Sequence, residues 1–596
     1  MDGSLIQVPV GIDVGSLNAR IAYVSKSSVQ IVSNAQGSRF TPALSTIEDE
    51  PSDGSPEILI GDAARKALQA RKHKSIHLSS IRHLVRTASS NSDAKDSEGD
   101  EKKAEDDSPP TPDVEKAFML SSSFFAHISQ LVCDATSTHP SQLKFVLSVP
   151  ATHVDETGEL SLHCMGPNEI ESLIQTLQTG VAKAIKATNQ INPAASQKKK
   201  NRKKAVHKTS VVGVISEPAA VCMAHGLLDS TSLLSEKSGT LTSDLVASTG
   251  FEKENSLACP IASSWSNCLV VSWGASGLTA TVVKRILAFQ DNVTPRHFLS
   301  VDSTHHSAAC SGHAIVKLLM EHAASMFERK NRTSDVLSNY KARSKLESAC
   351  ETALKTLART TMVHIAVDGF YDGLDLQLSL SRPRVEMLLG PLMRQAESFL
   401  IGSTAQDISI DAVLMSGGVC DLPIVNTLIQ KLFPSAWRGD PSVSVDEAVT
   451  IGCARYASQI VKTQSDLRRV QQLDLDAEPI KDTVCQLLCP SVNLALCPVE
   501  ISLLFKRKDA PDGDQDVIEP MIKQGFPLPI SLAKSLESVD LYSSIQIIVS
   551  EAGKCSSVLA EVSLEHNDSP QLGLYLALTE EGKISISVDG TDTTEF

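Results

Sequence analysis

The sequence predicts an α/β domain with two lobes around a cleft, followed by a separate all-β domain, and three observations carry that prediction. Short apolar runs (VGIDVG, FVLSVPA, VVGVISE, CLVVSWGA and AVLMSGG) alternate with helical patterns over 170–186, 314–329 and 344–363, as strands joined by helices do. Each of these runs ends in small residues just before a turn. Beyond about residue 474 only β-type runs with turn signals remain (VEISLLF, SIQIIVS, GLYLALT, KISISVD), so 481–596 read as an all-β domain of about 115 residues.

Length and composition agree with several cores. A chain of 596 residues exceeds what one core serves, and 42% hydrophobic with 21% charged residues is ordinary for a globular protein. A formal net charge of −15 argues against a surface that coats nucleic acid, and no DNA partner is expected. The start, MDGSLIQVPVGIDVGS, lacks a basic-then-apolar leader and no apolar run reaches membrane-spanning length, so no membrane association and a cytoplasmic location are expected. The 13 cysteines lie mostly in apolar stretches, as at Cys222, Cys268 and Cys453, and read as small buried hydrophobes. Cys485, Cys489 and Cys497 have the wrong spacing for a zinc ribbon and no His nearby, so no metal bound directly by protein ligands is expected.

Three segments interrupt the α/β part. Residues 88–113 are rich in Ser, Asp, Glu, Lys and Pro without apolar periodicity and read as a disordered acidic insertion. Residues 197–204, QKKKNRKK, read as a basic loop, solvated or else a nuclear signal or an RNA-phosphate contact. Residues 229–255 form a Ser/Thr/Leu-rich insertion of no clear class.

Glycine turns directly after strands expose backbone N–H groups that cradle phosphates. One such turn is weak evidence. This chain has three at large separations: Gly11-Ile12-Asp13-Val14-Gly15-Ser16, Trp273-Gly274-Ala275-Ser276-Gly277 and Ser416-Gly417-Gly418-Val419. The repetition implies two lobes that each give a loop to one cleft.

With these turns the chain resembles the actin-like ATPase superfamily and, within it, Hsp70. Asn34 to Pro42 (NAQGSRFTP), Ile60 to Ala64 (IGDAA), Gly369 to Gly373 (GFYDG) and Ser381 to Arg384 (SRPR) match Hsp70 signatures in order. Val149-Pro150-Ala151 resembles the strand end with the family's proline switch. Ser216-Glu217-Pro218-Ala219-Ala220 resembles its first connecting helix, and Asp446-Glu447-Ala448-Val449 with Gly452 the second. The likeness implies an actin-like two-lobed nucleotide-binding domain over 1–468, a linker over 469–480 and a truncated substrate-binding-like β-sandwich over 481–596, with no helical lid. It implies ATP as the ligand, with Mg2+ near Asp13. The nucleotide-binding residues would be Asp13, Gly15, Ser16, Leu17 and Asn18; Gly274, Ala275, Ser276 and Gly277; Glu351 and Lys355; Gly417, Gly418, Val419 and Asp421; and Asp446. Pro150 and Glu217 would form the interdomain switch.

The departures from Hsp70 concern hydrolysis. In the family the second turn supplies two carboxylates and a threonine, where this chain has Ser272, Thr279 and Gly277. The family's lysine falls at Ser80 or Ile81. A hydroxyl does not hold a metal's water shell as a carboxylate does, and losing several such groups removes orders of magnitude in rate. The helix that clasps adenosine would have Leu354 and Ala358 where the family is polar, and the facing stacking arginine becomes Asp421. The histidines His305 and His306 read as packing residues, and the turn backbones remain. Hence catalytic residues: none, with ATP held but not hydrolysed.

The linker Gln472-Leu473-Asp474-Leu475-Asp476 breaks an apolar run that is continuous in Hsp70, which argues against ATP-driven docking. Lost hydrolytic groups, a broken linker and a missing lid together resemble the atypical Hsp70 subfamily of the fungal ribosome-associated complex, with an animal counterpart in the same role. That likeness implies a ribosome-associated co-chaperone in stable partnership with a zuotin-like J-domain protein, near nascent polypeptide and stimulating a second, active Hsp70. The competing readings are an active Hsp70 ATPase that folds clients by turnover, a sugar kinase of the same superfamily, and a scaffold that binds no nucleotide.

Overall fold

The computed structural model describes residues 7–26, 28–48, 57–70, 79–80, 114–150, 167–191, 210–227, 265–289, 295–404, 408–473, 500–507, 517–522, 530–537, 542–550, 557–563, 571–578, 584–588 and 594–595. The three insertions, Ile81, Cys485, Cys489, Cys497 and residues 474–480 of the expected linker lie outside the described residues. The chain divides into two compact units: Met1–Asp229 with Phe251–Lys284 and Val301–Lys462, and Ser230–Gly250 with Arg285–Ser300 and Thr463–Phe596.

The first lobe of the first unit begins with the hairpin β1 (Val8–Val14) and β2 (Asn18–Ser25), extended by β3 (Ser28–Ile31) and by β4 (Thr41–Pro42). β5 (Leu44–Glu48), β6 (Glu57–Ile60) and β7 (Ser79–Ser80) form a small separate sheet, and α1 (Asp62–Ala70) follows β6. β8 (Leu143–Val149) runs parallel to β1, and β9 (Val211–Ser216) parallel to β8, giving the order β3-β2-β1-β8-β9. All seven residues of β8 are buried, as expected of a middle strand covered on both faces. Helix α2 (Val114–Thr136) buries Leu120, Phe124, Ile128 and Val132 at every fourth position, an apolar stripe that can face only inward. α3 (Pro167–Ile191) packs beside it, and Lys183 reaches Ser122 Oγ at 2.7 Å.

The second lobe repeats the arrangement. After the connecting helix α4 (Glu217–Ala224), β10 (Asn267–Trp273) and β11 (Leu278–Phe289) form a hairpin, extended by β12 (Pro295–Ser307). Around it lie α5 (Gly312–Asn331), α6 (Tyr340–Leu357), the hairpin β13 (Met362–Tyr371) and β14 (Leu374–Ser381), and α7 (Arg382–Gly402). β15 (Ala412–Ser416) then pairs parallel with β10, giving the order β12-β11-β10-β15. A strand, a glycine turn, an antiparallel strand and a later parallel strand thus occur in both lobes. The lobe's core holds Trp273, Leu319 and the edge-to-face pair Phe327–Phe370, whose ring centroids are 4.9 Å apart.

One helix ends earlier than its pattern predicts. The expected helix over 344–363 stops at Leu357, and from Met362 the chain is the strand β13. Val363, Ile365 and Val367 are buried with exposed residues between them, a period of two that the longer helical window concealed. Arg382 secures the boundary by donating to the carbonyls of Leu357 and Thr360 at 3.1 and 2.6 Å.

α8 (Pro423–Leu432) follows the third turn, and α9 (Ala448–Leu473) closes the α/β part. α9 extends into the expected linker, so Gln472 and Leu473 are helical; after Gly452 its sequence holds neither Gly nor Pro. α4 and α9 cross so closely that a Cβ on Gly452 would overlap the Ala220 carbonyl. Arg455 of α9 donates to the carbonyls of Met223 and Ala224, both at 2.9 Å, satisfying the buried C-terminal end of α4.

Among the described residues, every element from Glu500 onward is a strand. The eight strands β16 (Glu500–Arg507), β17 (Val517–Ile522), β18 (Ile530–Glu537), β19 (Tyr542–Ser550), β20 (Ser557–Ser563), β21 (Gln571–Leu578), β22 (Ile584–Val588) and β23 (Thr594–Glu595) form two sheets, β17-β16-β19-β20 and β18-β21-β22-β23. In β16 the buried apolar residues Ile501, Leu503 and Phe505 recur at every second position, with Ser502 also buried between the first two.

Candidate nucleotide-binding cleft

Each predicted glycine turn sits at a strand end. The first is closed by the Gly15 N–H donating to the Asn18 carbonyl at 2.9 Å. At the end of β1, Asp13 accepts a hydrogen bond from Ser148 Oγ of β8 at 2.7 Å. The second is closed by the Gly274 N–H donating to the Gly277 carbonyl at 3.0 Å. The third requires glycine: Gly417 has φ +93° and lies against the Trp273 carbonyl, where a side chain would clash. Because β10 and β15 are parallel neighbours, the second and third turns adjoin. The space over Gly274 and Gly418 is open, with no heavy atom within 4 Å of where a Cβ would stand. The N-terminus of α5 docks on the second turn, Gly312 and His313 donating to the carbonyls of Gly274 and Ala275 at 2.9 and 3.0 Å.

The positions where Hsp70 carries acids are closed by local hydrogen bonds. Ser272 Oγ lies 2.8 Å from Ser416 Oγ, and Thr279 Oγ1 lies 2.9 Å from Nδ1 of His306. The His306 ring packs directly on Gly277, so it occupies the space that a larger side chain at Gly277 would need. Ser80 lies on β7, paired with Leu44 of β5. Asp13 and Glu217 both act on Cys453 of α9, whose thiol is pushed well up, first by burial and then by these two carboxylates. Glu217 and Asp13 thus both lie within electrostatic reach of Cys453. Pro150 ends β8 and is half-buried.

The wall expected to clasp adenosine is built by α6. Glu347, Glu351 and Lys355 recur at every fourth position, so they share one face of the helix. Lys355 Nζ lies 4.4 Å over the ring of Phe40 from the first lobe, and the Arg20 guanidinium lies 6.0 Å from the same ring. Lys355 is exposed, yet desolvation by the groups around it lowers its pKa; Glu351 and Asp446 oppose the shift, and Arg65 and Arg20 add to it. Glu347 is raised by burial and then by Glu351. Arg20 bridges to Asp446 Oδ2 at 2.8 Å, leaving Asp446 Oδ1 buried with no hydrogen-bond partner among the described residues. Arg65 of α1 donates to Asn18 Oδ1 at 3.3 Å. Arg39 holds Glu447 through two hydrogen bonds at 2.7 and 2.9 Å. Leu354 and Ala358 pack against the second lobe's core.

Asp421, where Hsp70 has a stacking arginine, is raised by burial and then by Asp446, while Arg359 holds it down. A cation therefore remains at this wall, supplied from just past α6. The sequence reading missed Arg20, Phe40, Arg65 and Arg359. Arg20 was within reach of it, since it lies two residues beyond Asn18 on one strand and so on the same face.

The residues present suit a nucleotide. Open backbone turns offer N–H groups to phosphates. They do not suit a tightly held divalent ion: both hydroxyls that replace acids are already bonded. Among the described residues no group of three or more His, Cys, Asp or Glu side chains is placed to hold a metal.

The family model described as Hsp70 protein matches residues 9–118 and 198–481, more than half of the chain. The chain is 24% identical over 485 residues to the Dictyostelium discoideum "Heat shock cognate 70 kDa protein 3", covering 79% of this chain and 63% of that protein. It is 24% identical over 494 residues to a Saccharomyces cerevisiae protein named as a ribosome-associated molecular chaperone, covering 80% and 66%. To the Mus musculus "Heat shock 70 kDa protein 14" it is 26% identical over 344 residues, covering 55% and 60%. The chain thus spans less than two thirds of the length of these relatives. Among the described residues no helix is long and apolar enough to cross a membrane.

Proposed function

Since the chain belongs to the Hsp70 family, whose members are ATPases that generally bind ATP with Mg2+, we propose that it is a member that holds ATP without hydrolysing it. The observation that carries this reading is the hydrogen bond between His306 and Thr279 beside Gly277. Phosphoryl transfer to water needs charge neutralisation at the phosphates and a polar group that places the water. Here one such position is a threonine tied to an imidazole and another is Ser272 tied to Ser416. The turn backbones, Glu351, Lys355 and Asp446 bind and orient the nucleotide, and ATP becomes a structural ligand joining two lobes.

In this reading the protein acts as a ribosome-associated cytosolic co-chaperone. It pairs stably with a zuotin-like J-domain protein, stands near nascent polypeptide and stimulates a second, active Hsp70. The name of the yeast relative supports the ribosome. The J-protein pairing rests on the resemblance of the altered hydrolytic positions and the interrupted linker to the atypical Hsp70 of the ribosome-associated complex. The strands from Glu500 onward are assigned to a substrate-binding-like β-sandwich.

The rival reading, a working ATPase, draws on the surviving Asp13 and Glu217 near Cys453. Single-turnover assay decides between them. No phosphate release above the uncatalysed rate is expected, and release at the rate of an active Hsp70 sinks the proposal. Purification of the tagged chain is expected to bring down a J-domain protein and ribosomes; recovery of neither removes the partner assignment.

A further inference from the structure

The loop between β3 and β4 is built around one buried side chain. Asn34, 7% exposed, uses its whole amide: Nδ2 donates to the Phe40 carbonyl at 3.0 Å and to Asp62 Oδ2 at 2.8 Å. Its Oδ1 accepts from the N–H groups of Gln36 and Ser38 at 3.0 and 2.8 Å. The backbone closes on itself as well, the Asn34 N–H donating to the Ser38 carbonyl at 2.8 Å and the Gly37 N–H to the Asn34 carbonyl at 2.9 Å. A loop tied in this way is preorganised, and it presents Arg39 and Phe40 in a fixed position. Its base lies beside the first glycine turn, because β4 pairs Pro42 with Asn18.

Arg39 and Phe40 both reach the second lobe. Arg39 holds Glu447 through two hydrogen bonds at 2.7 and 2.9 Å, and Lys355 Nζ of α6 lies 4.4 Å over the Phe40 ring. Arg20, on the strand that β4 pairs with, adds a bond to Asp446 at 2.8 Å. Asp446 and Glu447 follow Val445, whose carbonyl accepts the Gly417 N–H at 3.0 Å, so their backbone is fixed to the third glycine turn. These contacts therefore run from beside the first turn to the third turn and to α6, across the cleft that the turns border. An exposed ion pair or cation–π contact changes an equilibrium only about threefold. Consecutive residues on one rigid loop, however, release together, because the lobes part only when both contacts have broken. We propose that the loop 34–40 is a clasp that holds the cleft shut and sets the rate at which a nucleotide enters and leaves. The inference rests on the nucleotide reading above and assigns that site its means of retention.

The test is stopped-flow mixing of the full chain with N-methylanthraniloyl-ATP, followed by a chase with excess ATP, to give the association and release rates. Arg39→Gln and Phe40→Leu are each expected to speed release about threefold, and Asn34→Ala, which removes the bonds that shape the loop, about tenfold. A clasp slows entry as well as exit, so association is expected to quicken too. Faster release with unchanged association reports a lost contact with the nucleotide itself and overturns the clasp. Arg39→Gln combined with Glu447→Gln is expected to release no faster than either alone, since both remove one contact, and additive effects overturn the pairing as its cause. Unchanged release in both Arg39→Gln and Phe40→Leu overturns the clasp and leaves the nucleotide reading standing, and these two exposed-side changes decide the matter where Asn34→Ala fails to fold. Absence of any binding of the analogue to the unaltered chain overturns the two together.

Discussion

Gly452 of α9 meets Ala220 of α4 backbone to backbone, with no room for even a methyl group between them. The two helices are the links between the lobes, and their crossing places Asp13, Glu217 and Cys453 in one neighbourhood. A Gly452→Ala substitution would normally favour a helix, but here the added Cβ forces the helices apart. Chemical denaturation is expected to show a loss of about 2 kcal/mol or more. A neutral or stabilising effect would mean that the crossing is looser than described.

His225 gives the fold a pH dependence. It is 4% exposed, accepts the Asp440 N–H through Nδ1 at 2.9 Å and packs edge to face on Trp437. Burial pushes its pKa down from 6.5 to about 4, with Asp440 opposing and Arg455 assisting. A histidine held neutral by folding contributes stability that is fully present above its unfolded value and lost as pH falls toward the folded one. Stability should therefore decline between pH 6.5 and about 4, by up to about 3 kcal/mol from this residue. His127 and His322 are also lowered by burial and add to the slope, so the readout is the difference between the chain and His225→Asn. An unchanged slope in that variant removes His225 as a cause.

The architecture was legible because strand ends and turns are local: VGIDVG, CLVVSWGA and AVLMSGG each announce a strand and its glycine turn. The early end of α6 was not. Its last turns and β13 are both apolar at intervals, and the tie from Arg382 to Leu357 and Thr360 crosses more than twenty residues. At the site, the loss of acids could be read from Ser272 and Thr279, but not what replaced them. His306 is 27 positions from Thr279, and Phe40 meets Lys355 only when the lobes are assembled. Local patterns expose what a turn lacks; partners brought by tertiary packing are invisible to them.

Restoring acids should not restore turnover. Ser272→Asp with Thr279→Asp returns two carboxylates to the second turn, yet the strand β7 still carries Ser79 and Ser80 and no lysine. His306 also remains against Gly277, ready to pair with the new acid at 279. Groups that act together in catalysis are strongly non-additive. Single-turnover phosphate release is expected to change by less than about tenfold. A rise to the rate of an active Hsp70 would show that the acids alone set the loss.

Two ion pairs on neighbouring acids should differ in strength because their exposure differs. The Arg39 side chain is 63% exposed although its geometry with Glu447 is bidentate, whereas Arg20 is 14% exposed in its pair with Asp446. Water and salt screen the first and much less the second. A double-mutant cycle on Arg39 and Glu447 is expected to give a coupling of about 0.5–1 kcal/mol that fades at high salt. The same cycle on Arg20 and Asp446 should give about 1.5–3 kcal/mol, with weak salt dependence. Asp446→Ala is then the harsher single change, because it leaves the less exposed Arg20 guanidinium without its carboxylate. Equal couplings with equal salt dependence would place both pairs in solvent and remove the Arg20–Asp446 tie as a link across the mouth of the cleft.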